Sequence, residues 1–199
     1  MTAQLTSSSS SCTEYGLRKT TRYITGLGPS GESVTLFSPD LRFHDRGGYA
    51  ITRLYGLENV PANLNDDKDL NDYLSMDGHN NTTTAPATSQ SSFQLVTPGG
   101  ANFVQGDFGP SSCSVWHRTI SVDFVTVVEG ELVLEVGEDS EDCTKILLKA
   151  GDSIVQRGTL HKWVNPSSDN PARFVATLLA SNPFKLGETV VRPVWIPKE

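Results

Sequence analysis

Two short stretches carry the side chains able to move protons. The first, WHRTISVDFVTVVEGE at residues 116–131, sets His117, Arg118 and Asp123 at the head of an apolar run. The second, QRGTLHKWVN at 156–165, sets His161 between Thr159 and Trp163. Imidazole and carboxylate groups take a proton from carbon and return one to a leaving oxygen when both face a pocket poor in water. In an extended segment residues 117, 119, 121 and 123 share one side, so His117, Thr119 and Asp123 can line one wall. On that alternation Arg118 points away from His117. Its place, and that of Arg157, stays open between the outer face and a substrate carboxylate. By residue type alone, both histidines are better explained as satisfied core groups. For Asp123 the alternative to a site role is a turn cap or a partner of Arg118.

Short strands are the elements that must position these groups. From residue 93 onward, apolar segments alternate with turns: 93–97, 101–105, 114–128, 131–136, 144–148, 153–156, 161–164 and 173–180. Pro98-Gly99-Gly100, Gly109-Pro110, Glu129-Gly130, Gly151-Asp152 and Asn165-Pro166 punctuate them. Many short strands at regular spacing predict an antiparallel sandwich or barrel. Upstream, 20–27, 32–37 and 48–57 read as further strands, while the Ser/Thr-rich residues 1–14 read as disordered. The polar and acidic stretch 61–92 reads as a surface insertion with one or two helical turns in its acidic part. The divisions are therefore a disordered tail 1–14, N-terminal strands 15–60, a surface loop 61–92, a barrel 93–181 and a C-terminal extension 182–199.

Composition narrows the function classes. The chain has 199 residues, 37% hydrophobic and 20% charged, with a net charge of −7. That suits one domain with a real core. No Lys/Arg cluster is present, which argues against nucleic acid and anionic membranes as partners. No apolar run approaches the length of a membrane helix. Cys12, Cys113 and Cys143 show neither zinc-site nor disulfide-framework spacing. The N-terminus lacks a secretory layout, so a reduced, cytoplasmic setting is expected. The Asn80–Thr83 sequons are then incidental. His44 and His79 fall in loop-like contexts and read as solvated. Cys113 reads as a small buried hydrophobe.

The two stretches together resemble the motifs of the cupin superfamily of small β-barrels. Gly109, His117, Asp123 and Gly130 follow the first cupin motif, with Thr119 in place of its second histidine. Gly151-Asp152, Gly158, His161 and Asn165 follow the second, with Gln156 where proline is usual. The likeness covers about residues 93–181. A subgroup of single-domain cupins with HRT…D and QRGT.H.W.N signatures, found in microbial and fungal biosynthetic clusters, is closer still and extends it back to about residue 20.

This resemblance implies an all-β, cupin-type double-stranded β-helix, a jelly-roll-like barrel with an N-terminal strand extension. It implies that His117, Asp123 and His161 share one enclosed site. Trp116, Phe124, Phe108 and Trp163 are then candidates for its apolar lining, and Thr119, Gln156 and Thr159 for neutral hydrogen bonds. In such a pocket Asp123 should have a raised pKa and the imidazoles should titrate near neutrality. The same three residues could hold one divalent metal ion (Fe, Mn, Ni or Zn), though Thr119 is a poor ligand, so a metal-free site is equally open. The expected function is a biosynthetic lyase or isomerase that dehydrates or decarboxylates an oxygenated, polyketide-like intermediate. A metal-dependent oxygenase or decarboxylase and a non-catalytic metabolite-binding cupin are the alternatives. A homodimer, with N-terminal strands covering a sheet edge, is expected.

Overall fold

The computed structural model describes residues 15–36, 38, 40–76 and 94–196. The tail 1–14 with Cys12, the loop residues 77–93 with His79 and the sequons, and the last three residues lie outside them. Among the described residues, fifteen strands and one short α-helix follow in order. β1 (Ile24–Leu27) and β2 (Ser33–Leu36) form a hairpin, followed by β3 (His44–Asp45) and β4 (Tyr49–Leu57). A 3-10 turn at Asn65–Asp67 leads into α1 (Lys68–Ser75), within the acidic stretch that the sequence marks as helical and solvated. Then come β5 (Ala101–Phe108), β6 (Trp116–Arg118), β7 (Ser121–Glu129), β8 (Glu131–Gly137), β9 (Cys143–Lys149) and β10 (Ser153–Arg157). The chain continues through β11 (His161–Val164), β12 (Ala172–Ala180), β13 (Lys185–Leu186), β14 (Thr189–Val190) and β15 (Val194–Ile196).

Two antiparallel sheets face each other. One runs β10-β7-β12-β5-β4-β3 and the other β15-β6-β11-β8-β9. The alternation along β7 explains why they stack. Ser121, Asp123, Val125 and Val127 are buried, while Val122, Phe124, Thr126 and Val128 turn outward. Val104, Phe108, Val125 and Phe174 from the first sheet meet Leu132, Leu134, Leu148 and Trp163 from the second. Burying each such side chain contributes about 1.5–3 kcal/mol, so this cluster fixes the register. Gly130 turns the chain from β7 to β8 at φ +70°, a conformation that side-chain-bearing residues rarely adopt. Gly106 is required for space, because a Cβ there would sit 2.7 Å from the Phe174 ring.

Asn165 closes one end of the sandwich. Its amide nitrogen donates to the carbonyls of Phe108, Gly109 and Asn170, and its amide oxygen accepts from the Ser167 N–H. The N-terminal segment packs on the outer side of its own six-stranded sheet. Thr20 Oγ1 donates to Gln105 Oε1 at 2.8 Å, and Arg173 Nη1 donates to the Arg18 carbonyl at 2.9 Å. Beneath it lies a buried ion pair, in which Arg173 Nε and Nη2 each donate to Asp107 at 2.6 Å.

Two expectations change here. Residues 94–97 form a bend, not a strand, because the Asn102 amide donates to the Leu95 carbonyl and Thr97 Oγ1, and Arg53 takes the Gln94 carbonyl. Those acceptors are then lost to any neighbouring strand. His44 is only 1% exposed, because it belongs to β3 and not to a solvated loop. Within the C-terminal extension, β15 pairs with β6 at the edge of the five-stranded sheet. Among the described residues no helix is long and apolar enough to cross a membrane. Cys113 and Cys143 are free thiols.

Candidate functional site

Two rows of side chains face each other across the sandwich. On the five-stranded sheet, His117 of β6 pairs in register with His161 of β11 on one side and Trp195 of β15 on the other. The imidazole centroids lie 4.2 Å apart, and the Trp195 indole stacks on His117 at 4.9 Å with planes 7° apart. On the six-stranded sheet, Asp123 of β7 sits opposite Gln156 of β10. Both rows line a single cavity of about 450 Å³ with Thr119, Phe108 and Trp163. A volume of this order suits one small ligand.

Local hydrogen bonds set the state of each group. His117 Nδ1 lies 2.9 Å from the Val115 carbonyl and His161 Nδ1 lies 3.0 Å from the Thr159 carbonyl. A carbonyl only accepts, so each Nδ1 carries the proton and each Nε2 keeps a lone pair. Burial holds the His117 pKa below the usual imidazole range. His161 is pushed down to about 3, chiefly by burial and then by the neighbouring His117. Both rings are therefore neutral at physiological pH, against the expectation that they titrate near neutrality. Desolvation outweighs any stabilising partner, because among the described residues no carboxylate bonds to either ring.

Asp123 behaves in the opposite sense. Ser121 Oγ donates to Asp123 Oδ1 at 2.6 Å and lies 2.8 Å from Thr119 Oγ1, which donates to Oδ2 at 3.5 Å. These hydroxyl bonds favour the charged form, but burial dominates and pushes the pKa up to about 6. No ion pair forms with Arg118. The result is a carboxyl group able to hold or release a proton close to physiological pH.

The three-ligand metal set implied by the resemblance is not assembled. Among the described residues no group of three His, Cys, Asp or Glu side chains is arranged to hold a metal ion. The imidazole pair offers two nitrogen donors, Asp123 is turned to its own hydroxyl partners, and Thr119 stands where a further histidine would complete the set. The residues present therefore do not fit the expected three-ligand site.

Several other expected residues also fall outside the cavity. Phe124 is 50% exposed, because its neighbour Asp123 points inward and adjacent strand residues alternate. Trp116 and Arg118 flank His117 and turn outward for the same reason, with the Lys162 ammonium 6.0 Å from the Trp116 ring. Arg157 is exposed. Thr159 contributes its backbone carbonyl to His161, and its hydroxyl does not line the cavity. Conversely, Trp195, Pro193, Arg46, Tyr49 and the bend at Gln94–Val96 do line it. No spacing signal near either motif points to them. The aromatic, cationic and turn residues of those segments were the available hint.

A jelly-roll sandwich carrying paired histidines and an opposing acid in its interior defines the class, and residues 106–178 match the cupin domain family. This chain belongs to the cupin superfamily. It is 39% identical over 141 residues to the oryzines biosynthesis cluster protein J of Aspergillus oryzae, covering 68% of this chain and 70% of that protein. It is 33% identical over 171 residues to the cupin-domain-containing oxidoreductase srdD of Neurospora crassa, covering 82% of this chain and 76% of that protein. It is 35% identical to the phomopsin biosynthesis cluster protein C' of Diaporthe leptostromiformis, covering 85% of this chain and 83% of that protein.

Proposed function

We propose that this chain is a biosynthetic enzyme that removes a proton from carbon next to a carbonyl of a small oxygenated molecule held in the cupin cavity. Asp123 is the base. Its carboxylate takes the proton as the C–H bond breaks, and the electron pair passes to the carbonyl oxygen as an enolate. The two imidazoles are neutral and serve as uncharged walls and lone-pair acceptors, orienting substrate hydroxyl groups at Nε2. The protonated Asp123 then returns its proton. Delivery to another carbon gives an isomerisation, and delivery to a departing β-hydroxyl, leaving as water, gives a dehydration. The observation that carries this reading is Asp123, buried with hydroxyl partners and no paired cation among the described residues, in a cavity walled by neutral imidazoles.

The relatives' printed names favour a second reading, in which net oxidation follows. Proton removal is shared by both, but two electrons must then pass to an acceptor of a class the chain's own side chains do not provide. A substrate screen with intermediates from a neighbouring biosynthetic cluster tests both. Solvent deuterium incorporated without any acceptor supports proton transfer alone. Turnover only with an added acceptor supports oxidation. Retained activity in both Asp123→Ala and His161→Ala would sink the shared step. Tight metabolite binding without product would favour a binding role.

Assembly as a homodimer remains part of this reading. Its support is an exposed apolar row across the outer sheet face, with Phe103, Phe124 and Val155 aligned on β5, β7 and β10. A monomer by light scattering would overturn it.

A further inference from the structure

The cavity contains two hydrogen-bond donors that the described chain leaves unmet. Arg46 Nη1 is buried without a partner, and so is Gln156 Nε2, on a side chain 4% exposed. Both residues line the cavity. A buried N–H with no acceptor is unfavourable, more so on a charged group, and a ligand acceptor removes the deficit. The two donors sit at different places. Gln156 is the cross-strand neighbour of Asp123, beside the proposed chemistry. Arg46 follows β3, with β4, β5 and β12 lying between it and the Asp123 strand. Its charge acts on the buried Tyr49 hydroxyl, whose pKa burial raises and Arg46 partly lowers. Between the two donors the wall is apolar, made by Val104, Phe108, Phe174 and Ala176.

Arg46 is the one guanidinium or ammonium among the described lining residues, and Asp123 is the one carboxylate. A chain of net charge −7 repels small anions at long range, so an anion that binds here is selected locally. We infer that the cavity takes a carboxylate-bearing small molecule, its anionic group paired with Arg46 and a carbonyl oxygen accepting from Gln156 Nε2. A guanidinium presents forked donors that match a carboxylate. The Gln156 contact polarises the carbonyl whose neighbouring proton Asp123 removes, and this half rests on the proton-transfer reading. The Arg46 half does not.

Equilibrium binding to the full chain tests it, with phenylacetate and phenylacetamide as probes of equal size and different charge. The wild type should bind phenylacetate about tenfold more tightly than the amide. Arg46→Gln should abolish that preference, and Arg46→Lys should keep part of it. Without ligand, Arg46→Gln should melt no lower than the wild type, since it replaces a charged buried donor that lacks a partner with a neutral group; an arginine kept for structure alone would lower the melting temperature. Equal binding of both probes, no binding of phenylacetate at millimolar concentration, or a preference that survives Arg46→Gln would overturn the inference. These readouts need no turnover. Failure here is thereby separated from failure of the proton-transfer reading, which deuterium incorporation judges.

Discussion

Asp107 and Asp123 both lie in the six-stranded sheet and both are buried, yet the chain surrounds them differently. Asp107, on the outer side of β5, accepts two hydrogen bonds from Arg173 and one from Gln105, under the N-terminal segment. Asp123, on the inner side of β7, has only hydroxyl partners among the described residues and faces the cavity. Burial is common to both, so burial alone does not make a reactive carboxylate. The cation decides: a paired carboxylate is committed to structure, and an unpaired one retains a labile proton.

The largest effect should come from breaking the paired site. Arg173→Leu leaves Asp107 buried without its cation and should cost about 3–5 kcal/mol, read from urea denaturation midpoints. Asp123→Asn should do the reverse, lowering turnover by about 10²–10⁴-fold while the fold is retained. A third test sharpens the contrast through pH. Activity should rise as pH increases through about 6, where Asp123 loses its proton. Its folded pKa lies above the unfolded value of 3.8, so its contribution to stability is fully present below 3.8 and lost as pH rises through about 6. Asp123→Asn should therefore melt higher than the wild type at about pH 8, and this advantage should vanish near pH 4. If the melting difference were the same at both pH values, Asp123 would not be the titrating group.

Smaller effects are expected at the rim. Trp195→Ala removes the ring stacked on His117 and should raise KM by about tenfold with less change in kcat, consistent with one lost aromatic contact. Phe124→Ser should leave kinetics alone and shift the mass seen by light scattering toward the monomer, since it removes one ring of the exposed apolar row. A marked kinetic effect there would place Phe124 back in the cavity.

The motif spacing made His117, Asp123, His161 and Gln156 legible, because strands fix which residues share a face and the glycines at 130, 151 and 158 fix where strands end. The same alternation excludes Phe124 and Trp116, since each adjoins an inward residue. Reading aromatic type as lining overlooked that constraint. The bend at 94–97 was not legible, because it depends on the Asn102 side chain consuming strand acceptors. Trp195 and Arg46 were not legible either. They reach the cavity through pairings between segments far apart in sequence, and no local period encodes such a meeting. The missing further histidine was legible as Thr119, though the turn of Asp123 toward Ser121 was not.

Asn165 has a consequence of its own. Its amide nitrogen reaches three carbonyl oxygens at once, knotting together the end of β5, the loop after it and the turn before β12. Aspartate has the same outline, but it would set oxygen against oxygen at every one of those junctions. Replacing this one nitrogen, with no change of shape, would turn the seal at that end of the barrel into a source of repulsion.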